Sequence, residues 1–227
     1  MPQQARPKKI AGRAANRPVA PGRQRPGTYN RSQKAAARRE AILAAALGEF
    51  SARGFAEARL DDVARTAGVA KGTIYLHFAD KEALFQELVR TMISPLVAAL
   101  VELRSVDRPI RALLEQVAEL FVGSVGTRRR DVAQLVLSEG HRFPELAEFY
   151  YREVVERAMT AMRAMLERAI ARGEIPNAAL AHFPQLVVAP GILSIIWVGL
   201  FDRFQHLDVA AMMRTHIAIL LGEKSRS

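Results

Sequence analysis

The segment LDDVARTAGVAKGTIYLHF, residues Leu60–Phe78, predicts two short helices joined by a glycine turn. The first helix has an apolar stripe at helical spacing, formed by Leu60, Val63, Ala64 and Ala67. Gly68 follows it and supplies the residue that tolerates positive φ where a helix ends in a tight turn. The pattern is typical of a helix-turn-helix that binds DNA.

The residue pattern of the second helix predicts one buried face and one face exposed to solvent. Its inward side consists of Val69, Ile74 and Phe78. The outward side is small, basic and rich in hydroxyl groups, as a helix lying in a major groove requires. It consists of Lys71, Gly72, Thr73, Tyr75, Leu76 and His77.

At these residues the chain resembles the TetR family of bacterial transcriptional repressors. The flanking segments REAILAAALGEFSARGF (Arg39–Phe55) and ADKEALFQELV (Ala79–Val89) are similar to the family's first and fourth helices. Arg59 and Ala70 depart from the family, which often has a capping Ser or Thr there, and a missing cap costs about 1 kcal/mol. Leu76 also stands where the family often has a polar or aromatic residue.

The resemblance implies a dimer that binds a two-fold operator and is displaced by a small molecule held in its C-terminal domain. In this interpretation Lys71 and Lys81 neutralise phosphates, while Thr73 and Gly72 read bases. Tyr75 and His77 hydrogen-bond the DNA backbone, and Leu76 is a further predicted DNA contact. Two other classes stay open: an architectural DNA-binding protein without an effector, and a helical protein that binds small molecules but not DNA.

Charge is concentrated at the N-terminus. Met1–Arg39 holds eleven of the 33 Lys and Arg residues and no acidic residue. The rest of the chain therefore has 22 basic and 23 acidic residues, which nearly balance. Residues 1–31 are therefore expected to form a disordered basic tail, because they are rich in charge and proline and poor in large apolar side chains. The tail is either an arm that follows DNA phosphates or a solubilising extension.

The rest of the chain predicts an all-α protein, since helical periodicity recurs and no strand pattern is found. Residues 32–79 are expected to form a three-helix DNA-binding domain, and residues 80–223 a larger helical effector-binding and dimerisation domain. Asp80 is expected to cap a helix that alone links the two domains, and Pro95 to kink or end its first part. Further helices are predicted at Ile110–Val125, Asp131–Glu139, Pro144–Gly173, Ala179–Arg203 and Val209–Leu221.

The last two helices are strongly apolar. Leu186–Phe201 is apolar nearly all round, and the final helix has an apolar stripe. Either pattern alone fits a buried core, but together they indicate a homodimer built on a four-helix bundle, as the resemblance also implies. The predicted interface residues are Ile192, Ile196, Leu200, Met213, Ile217 and Leu220.

Methionine and aromatic side chains in the C-terminal domain fit an adaptable, largely apolar effector pocket, although such side chains also form plain cores. The predicted pocket residues are Phe121, Glu139, Phe149, Tyr150, Met162 and Trp197. Glu139 belongs to a polar cluster that either points into the pocket or forms a solvated turn.

Reactive motifs are missing from the sequence. The five histidines lack metal-ligand spacing, cysteine is absent, and no phosphate-binding or nucleophile motif occurs. We therefore expect neither an enzyme nor a bound metal or cofactor. The expected partners are double-stranded operator DNA, a second copy of the chain and a small effector. No apolar run reaches the length of about 18 residues that a membrane span needs. The absence of cysteine suits a reducing cytoplasm, where the protein is expected.

Overall fold

The structure, a computed structural model, describes the backbone of residues 26–223 and the side chains of residues 33–223. The chain divides into two compact units, Met1–Ala37 and Arg38–Ser227. The part described contains helices and no strand, which confirms the all-α prediction. Its α-helices are α1 Pro26–Glu57, α2 Leu60–Thr66, α3 Lys71–His77, α4 Lys81–Met92, α5 Ser94–Leu103, α6 Ile110–Val125, α7 Arg128–Glu139, α8 Pro144–Tyr150, α9 Glu156–Ala171, α10 Gln185–Leu200 and α11 Val209–Leu220.

Helix α1 begins at Pro26, so the predicted boundary between a disordered tail and the DNA-binding domain at residue 32 falls inside a helix. The segment QKAAARREA, residues 33–41, explains why the helix extends so far, because Ala, Arg and Gln have high helix propensity. The rest of the predicted tail lies outside the described residues. Near its other end α1 is interrupted at Gly54, where a φ of 75° turns the chain.

The first core, which we call the N-terminal core, surrounds the helix-turn-helix. Phe50, Phe55, Ile74 and Phe85 are fully buried in it, and the rings of Phe50 and Phe55 lie 5.2 Å apart. Helices α7 and α8 contribute to the same core, although the sequence assigned them to the other domain. They do so because the apolar face of α4 extends beyond the helix-turn-helix, and the side chains of α7 and α8 bury it. These side chains are Val132, Leu135, Leu146 and Phe149.

Helices α4 and α5 form a bent pair that meets at Ile93. Asp80 caps α4 as predicted, since its Oδ1 accepts a hydrogen bond of 2.7 Å from the Ala83 N–H. Pro95 lies in the first turn of α5, and the two helix axes differ by about 40°. Between residues 26 and 223 no single helix combines the length and apolarity needed to cross a membrane, and only this bent pair meets those criteria jointly. Leu84, Phe85 and Leu88 of the pair are buried in the N-terminal core.

The long helix predicted from Pro144 to Gly173 contains an unpredicted π-helical segment, Tyr151–Val155, between α8 and α9. Gly173 ends the run with a φ of 72°, as expected of a C-terminal glycine. A π-helical turn holds an extra residue and therefore rotates the side chains that follow it. Such a rotation changes which face of α9 looks inward.

A second core, the C-terminal core, lies between α6, α9, α10 and α11. Pro190 sits inside α10 and has no N–H, so the carbonyl of Leu186 loses its normal helical partner. His216 of α11 replaces that partner, with its Nε2 lying 2.8 Å from the Leu186 oxygen. The next residue, Gly191, packs directly against the Phe121 ring, where any side chain would collide.

Candidate DNA interface and apolar cavity

The helix-turn-helix has the geometry that its sequence predicts. Gly68 adopts a φ of 67° between α2 and α3, and Ile74 is the residue of α3 that is fully buried. The outward face is open, because Tyr75 is 48% exposed and Leu76 is 85% exposed. Thr73 is half-buried against the rest of the motif.

Neither Arg59 nor Ala70 caps its helix through a side chain, as the sequence predicts. Asp61 instead ties the two helices together. Its carboxylate accepts a hydrogen bond of 2.7 Å from the Lys71 ammonium and one of 3.2 Å from the Tyr75 hydroxyl. The bond from Lys71 lowers the pKa of Asp61 and raises the pKa of Lys71. Two of the predicted DNA contacts are thus held side by side at the start of α3.

Lys81 has a different environment from the one predicted. Its Nζ donates hydrogen bonds to the carbonyls of Phe55, at 2.8 Å, and Ala56, at 2.7 Å. The ammonium also lies 4.8 Å from the centre of the Phe55 ring. Lys81 therefore caps the C-terminal end of α1, where unpaired carbonyls concentrate negative charge. This corrects its assignment as a free phosphate ligand.

A cavity of about 500 Å³ lies among the helices that follow the DNA-binding motif. Its wall is mostly aliphatic and comes from α5, α6, α7, α9, α10 and the π-helical segment. The volume falls in the range of about 300–1,000 Å³ that small-molecule sites occupy. The largely apolar character agrees with the sequence prediction.

Two of the six predicted pocket residues, Phe121 and Tyr150, line this cavity. Burial raises the pKa of Tyr150 to about 12. The structure places the other four elsewhere. Phe149 belongs to the N-terminal core and Met162 to the C-terminal core.

Trp197 and Glu139 also lie away from the cavity. The Trp197 indole N–H donates to the Gln205 carbonyl at 2.9 Å, close to the molecular surface. Glu139 packs against Gly54 and pairs with Arg142 at 3.9 Å, in the turn between α7 and α8.

Met159 also fits an adaptable apolar pocket by its sequence, and it does line the wall, whereas Met162 is buried in the C-terminal core. One cavity residue, Arg129, was missed by sequence reasoning. Arg129 lies before the predicted helix Asp131–Glu139, but α7 begins at Arg128 and carries Arg129 into the wall. The sequence signal that could have revealed Arg129 as a polar group in the cavity wall is its position directly before an apolar helix.

The predicted interface residues separate into two groups. Ile192, Ile196 and Leu200 of α10 are exposed in the chain, as an interface requires. Met213 and Ile217 are each only 4% exposed and belong to the C-terminal core, and Leu220 packs against that core. The interface assignment of these three residues is corrected, since α11 turns its apolar stripe towards α6.

No group of three or more His, Asp and Glu side chains within residues 26–223 is arranged to hold a metal ion.

Comparison with known proteins agrees with this architecture. The family described as "Bacterial regulatory proteins, tetR family" matches residues 42–88, and the family "Tetracyclin repressor-like, C-terminal domain" matches residues 104–200. The HTH-type transcriptional regulator RutR of Escherichia coli K12 is 37% identical over 90 residues, which cover 40% of this chain and 42% of RutR. The matched part thus spans less than half of RutR.

Longer matches extend into the C-terminal helices. The HTH-type transcriptional repressor BepR of Brucella suis is 31% identical over 149 residues, covering 63% of this chain and 71% of BepR. The solved structure of Salmonella enterica GusR superimposes with a TM-score of 0.64 at 21% identity, covering 82% of this chain and 95% of GusR, and shows the same fold. The helix-turn-helix, the C-terminal helices and these matches place the chain in the TetR family of bacterial transcriptional regulators.

Proposed function

We propose that this chain is a sequence-specific transcriptional repressor that binds a two-fold operator as a homodimer and releases it when a small molecule fills the cavity. The observation that carries the proposal is the open face of α3, which is anchored by the buried Ile74 and aimed by the turn at Gly68. A regulator of this kind acts on chromosomal DNA in the cytoplasm.

In the proposed complex α3 lies in the major groove. Gly72 allows close approach of the backbone, and Thr73 offers a hydroxyl to a base edge. Leu76 projects furthest and suits contact with a thymine methyl group. Lys71, Tyr75 and His77 would hold phosphates and fix the register of the helix on the duplex.

The proposed dimer is supported by the exposed side of α10, which we call the α10 face. Soluble monomers rarely expose a contiguous apolar patch of more than a few hundred Å². A self-complementary face would place two copies of α3 about a two-fold axis, and two half-sites one helical turn apart would then receive them. The α10 face consists of Ile192, Leu193, Ile196, Leu200 and Phe201.

Two routes connect the cavity to the DNA-binding motif. Ile93 and Val97 line the cavity at the joint between α4 and α5, and α4 packs under the helix-turn-helix. The second route is α7, which carries Ala133 in the cavity wall and ends near Phe143. The Phe143 ring lies 5.0 Å from the ring of Phe55, so α4 is not the sole link, contrary to the sequence expectation.

An effector changes operator affinity only if it binds one arrangement of the protein better than the other. A ligand filling the cavity would contact both routes at once. The structure therefore offers a physical path from effector binding to the spacing of the recognition helices, and this supports the ligand-responsive part of the proposal.

The proposed function is tested by footprinting the purified protein on the DNA that flanks its own gene. We expect protection of a two-fold symmetric site. We also expect Thr73→Ala to change the preference among operator variants, by about 1–3 kcal/mol at one base pair if the contact is good. Equal binding to every duplex, lost on deletion of residues 1–25, would instead favour an architectural DNA-binding protein. Failure to bind any duplex would favour a helical protein that binds only small molecules.

A further inference from the structure

The cavity wall contains few polar side chains, and most of them already have partners or solvent. Arg130 donates two hydrogen bonds to Asp131, at 3.1 and 2.9 Å. The Ser124 hydroxyl donates to the Leu120 carbonyl at 2.6 Å. Gln185 is exposed at the edge of the cavity. The polar atoms of these three residues therefore give no indication of a bound ligand.

Arg129 differs from them. It lines the cavity one residue before Arg130, is half-buried, and makes no side-chain hydrogen bond or ion pair to any residue in the described part of the chain. No aspartate or glutamate lines the cavity. Arg129 therefore brings a positive charge without a counter-charge to the border of an apolar space, and an anionic group that enters the space is positioned to pair with it.

Tyr150 supplies a second unpaired group. Its hydroxyl makes no hydrogen bond within residues 33–223, although the side chain is largely buried in the cavity wall. Since burial keeps the pKa of this phenol near 12, the hydroxyl stays protonated at neutral pH and is available as a donor. The remaining wall, which includes Leu100, Val117 and Met159, is apolar.

We propose that the effector is an amphipathic organic anion whose carboxylate-type head pairs with Arg129 while its apolar body fills the cavity. This inference rests on the proposed function, because it assumes that the cavity is the effector site. The planar guanidinium suits a carboxylate, which it holds through two parallel hydrogen bonds. The Tyr150 hydroxyl is a further donor for the head or for a polar substituent near it.

The body of such an anion could be a linear alkyl chain or an aromatic system, since both suit an aliphatic wall. Decanoate is the probe with a linear alkyl body, and 2-naphthoate is the probe with an aromatic body. Decanol and decylammonium keep the linear body but replace the head by a neutral or a cationic group. Binding of all four probes to the full-length protein is measured by isothermal titration calorimetry.

The informative variant is Arg129→Gln, and Arg128→Gln is its matched control. Arg128 precedes Arg129 in the same helical turn, is exposed and does not line the cavity. We expect decanoate or 2-naphthoate to bind more tightly than decanol, and decylammonium to bind weakest. Arg129→Gln should weaken carboxylate binding by about tenfold to a hundredfold, the usual loss for a hydrogen bond to a charged group, and should leave decanol binding unchanged.

The possible negative results distinguish the anionic-effector proposal from the proposed function on which it rests. If decanol and the carboxylates bind equally, or if Arg129→Gln and Arg128→Gln behave alike, the anionic head is refuted while the cavity remains an effector site. If no probe binds, the effector part of the proposed function fails together with this inference. Circular dichroism melting of both variants shows whether either substitution has altered the fold.

Discussion

Two lysines near the DNA-binding motif have opposite structural roles, although the sequence assigns both to phosphates. Lys71 is exposed and shares Asp61 with Tyr75, so its ammonium lies on the outward face of the motif. Lys81 is half-buried, and two of its three donors bond to the carbonyls at the end of α1. The first arrangement leaves the ammonium on the surface for the proposed DNA contact, and the second stabilises the fold.

We expect Lys81→Met to lower the free energy of unfolding by about 1–3 kcal/mol. Methionine keeps the aliphatic packing but leaves the Phe55 and Ala56 carbonyls without their donor. Urea denaturation followed by circular dichroism measures the change.

Lys71→Met is the comparison for this experiment. It should leave the unfolding midpoint nearly unchanged, since exposed ion pairs contribute little to stability. It should also lower the salt dependence of DNA binding by about one phosphate contact. If Lys81→Met instead preserves stability and lowers the salt dependence, Lys81 is a DNA contact after all.

The pKa shift of Asp61 sets the range of pH over which the motif keeps this arrangement. A carboxyl whose pKa is lowered in the folded state stabilises the fold above its ordinary pKa, and the contribution is lost as pH falls through the lowered value. The Asp61–Lys71 pair therefore persists throughout the neutral range, and changes in operator binding there must come from other groups.

At the scale of helices, two interruptions shape the C-terminal half. The π-helical segment Tyr151–Val155 brings Tyr150, Val154 and Met159 to one wall of the cavity. Pro190 removes a helical hydrogen bond from α10, and His216 compensates from α11. The second feature joins α10 to α11 through a hydrogen bond that a regular α10 would not need.

The link between α10 and α11 is tested by a double-mutant cycle on His216 and Pro190. His216→Leu should destabilise the protein by about 0.5–1.5 kcal/mol, because the Leu186 carbonyl loses its hydrogen-bond donor. Pro190→Ala restores an N–H four residues after Leu186. His216→Leu should therefore cost less in the Pro190→Ala background, and thermal or urea unfolding of the four proteins gives the coupling energy.

Equal costs of His216→Leu in the two backgrounds would contradict this account. They would show that the imidazole acts through packing and not as the donor that replaces the missing helical bond.

At the scale of the whole molecule, the proposed dimer depends on the α10 face. Leu200 is 57% exposed there, and Leu137 on α7 is 55% exposed at a site outside the face. The two leucines are matched in exposure but differ in whether they belong to a contiguous apolar patch.

We expect Leu200→Glu to convert the dimer into monomers, because it buries a charge in the apolar interface. Leu137→Glu should leave the dimer intact. Size-exclusion chromatography with light scattering gives the mass of each variant, and gel-shift titration should show that only Leu200→Glu loses operator affinity. Two variants with the same mass would place the interface elsewhere.

The features that depend on neighbours along the chain follow from the amino-acid sequence without any knowledge of the tertiary structure. Gly68 fixes the turn, Asp80 caps α4, Gly173 ends a helix, and the spacing of Leu60, Val63 and Ile74 specifies the buried side of the motif. These predictions succeed because capping, positive φ and helical periodicity act over a few residues, and the same residues carry the family resemblance.

The tertiary structure alone decided which polar and apolar side chains meet across helices. Met213 and Ile217 have the same pattern as Ile196 and Leu200, yet the first pair is core and the second pair is exposed, because burial depends on whether another helix covers the face. Lys81 became a cap because the end of α1 lies beside it, whereas Arg129 entered the cavity because α7 starts early. Periodicity specifies a face of a helix but not its partner, so the cavity and its charged residue emerge only when the helices pack.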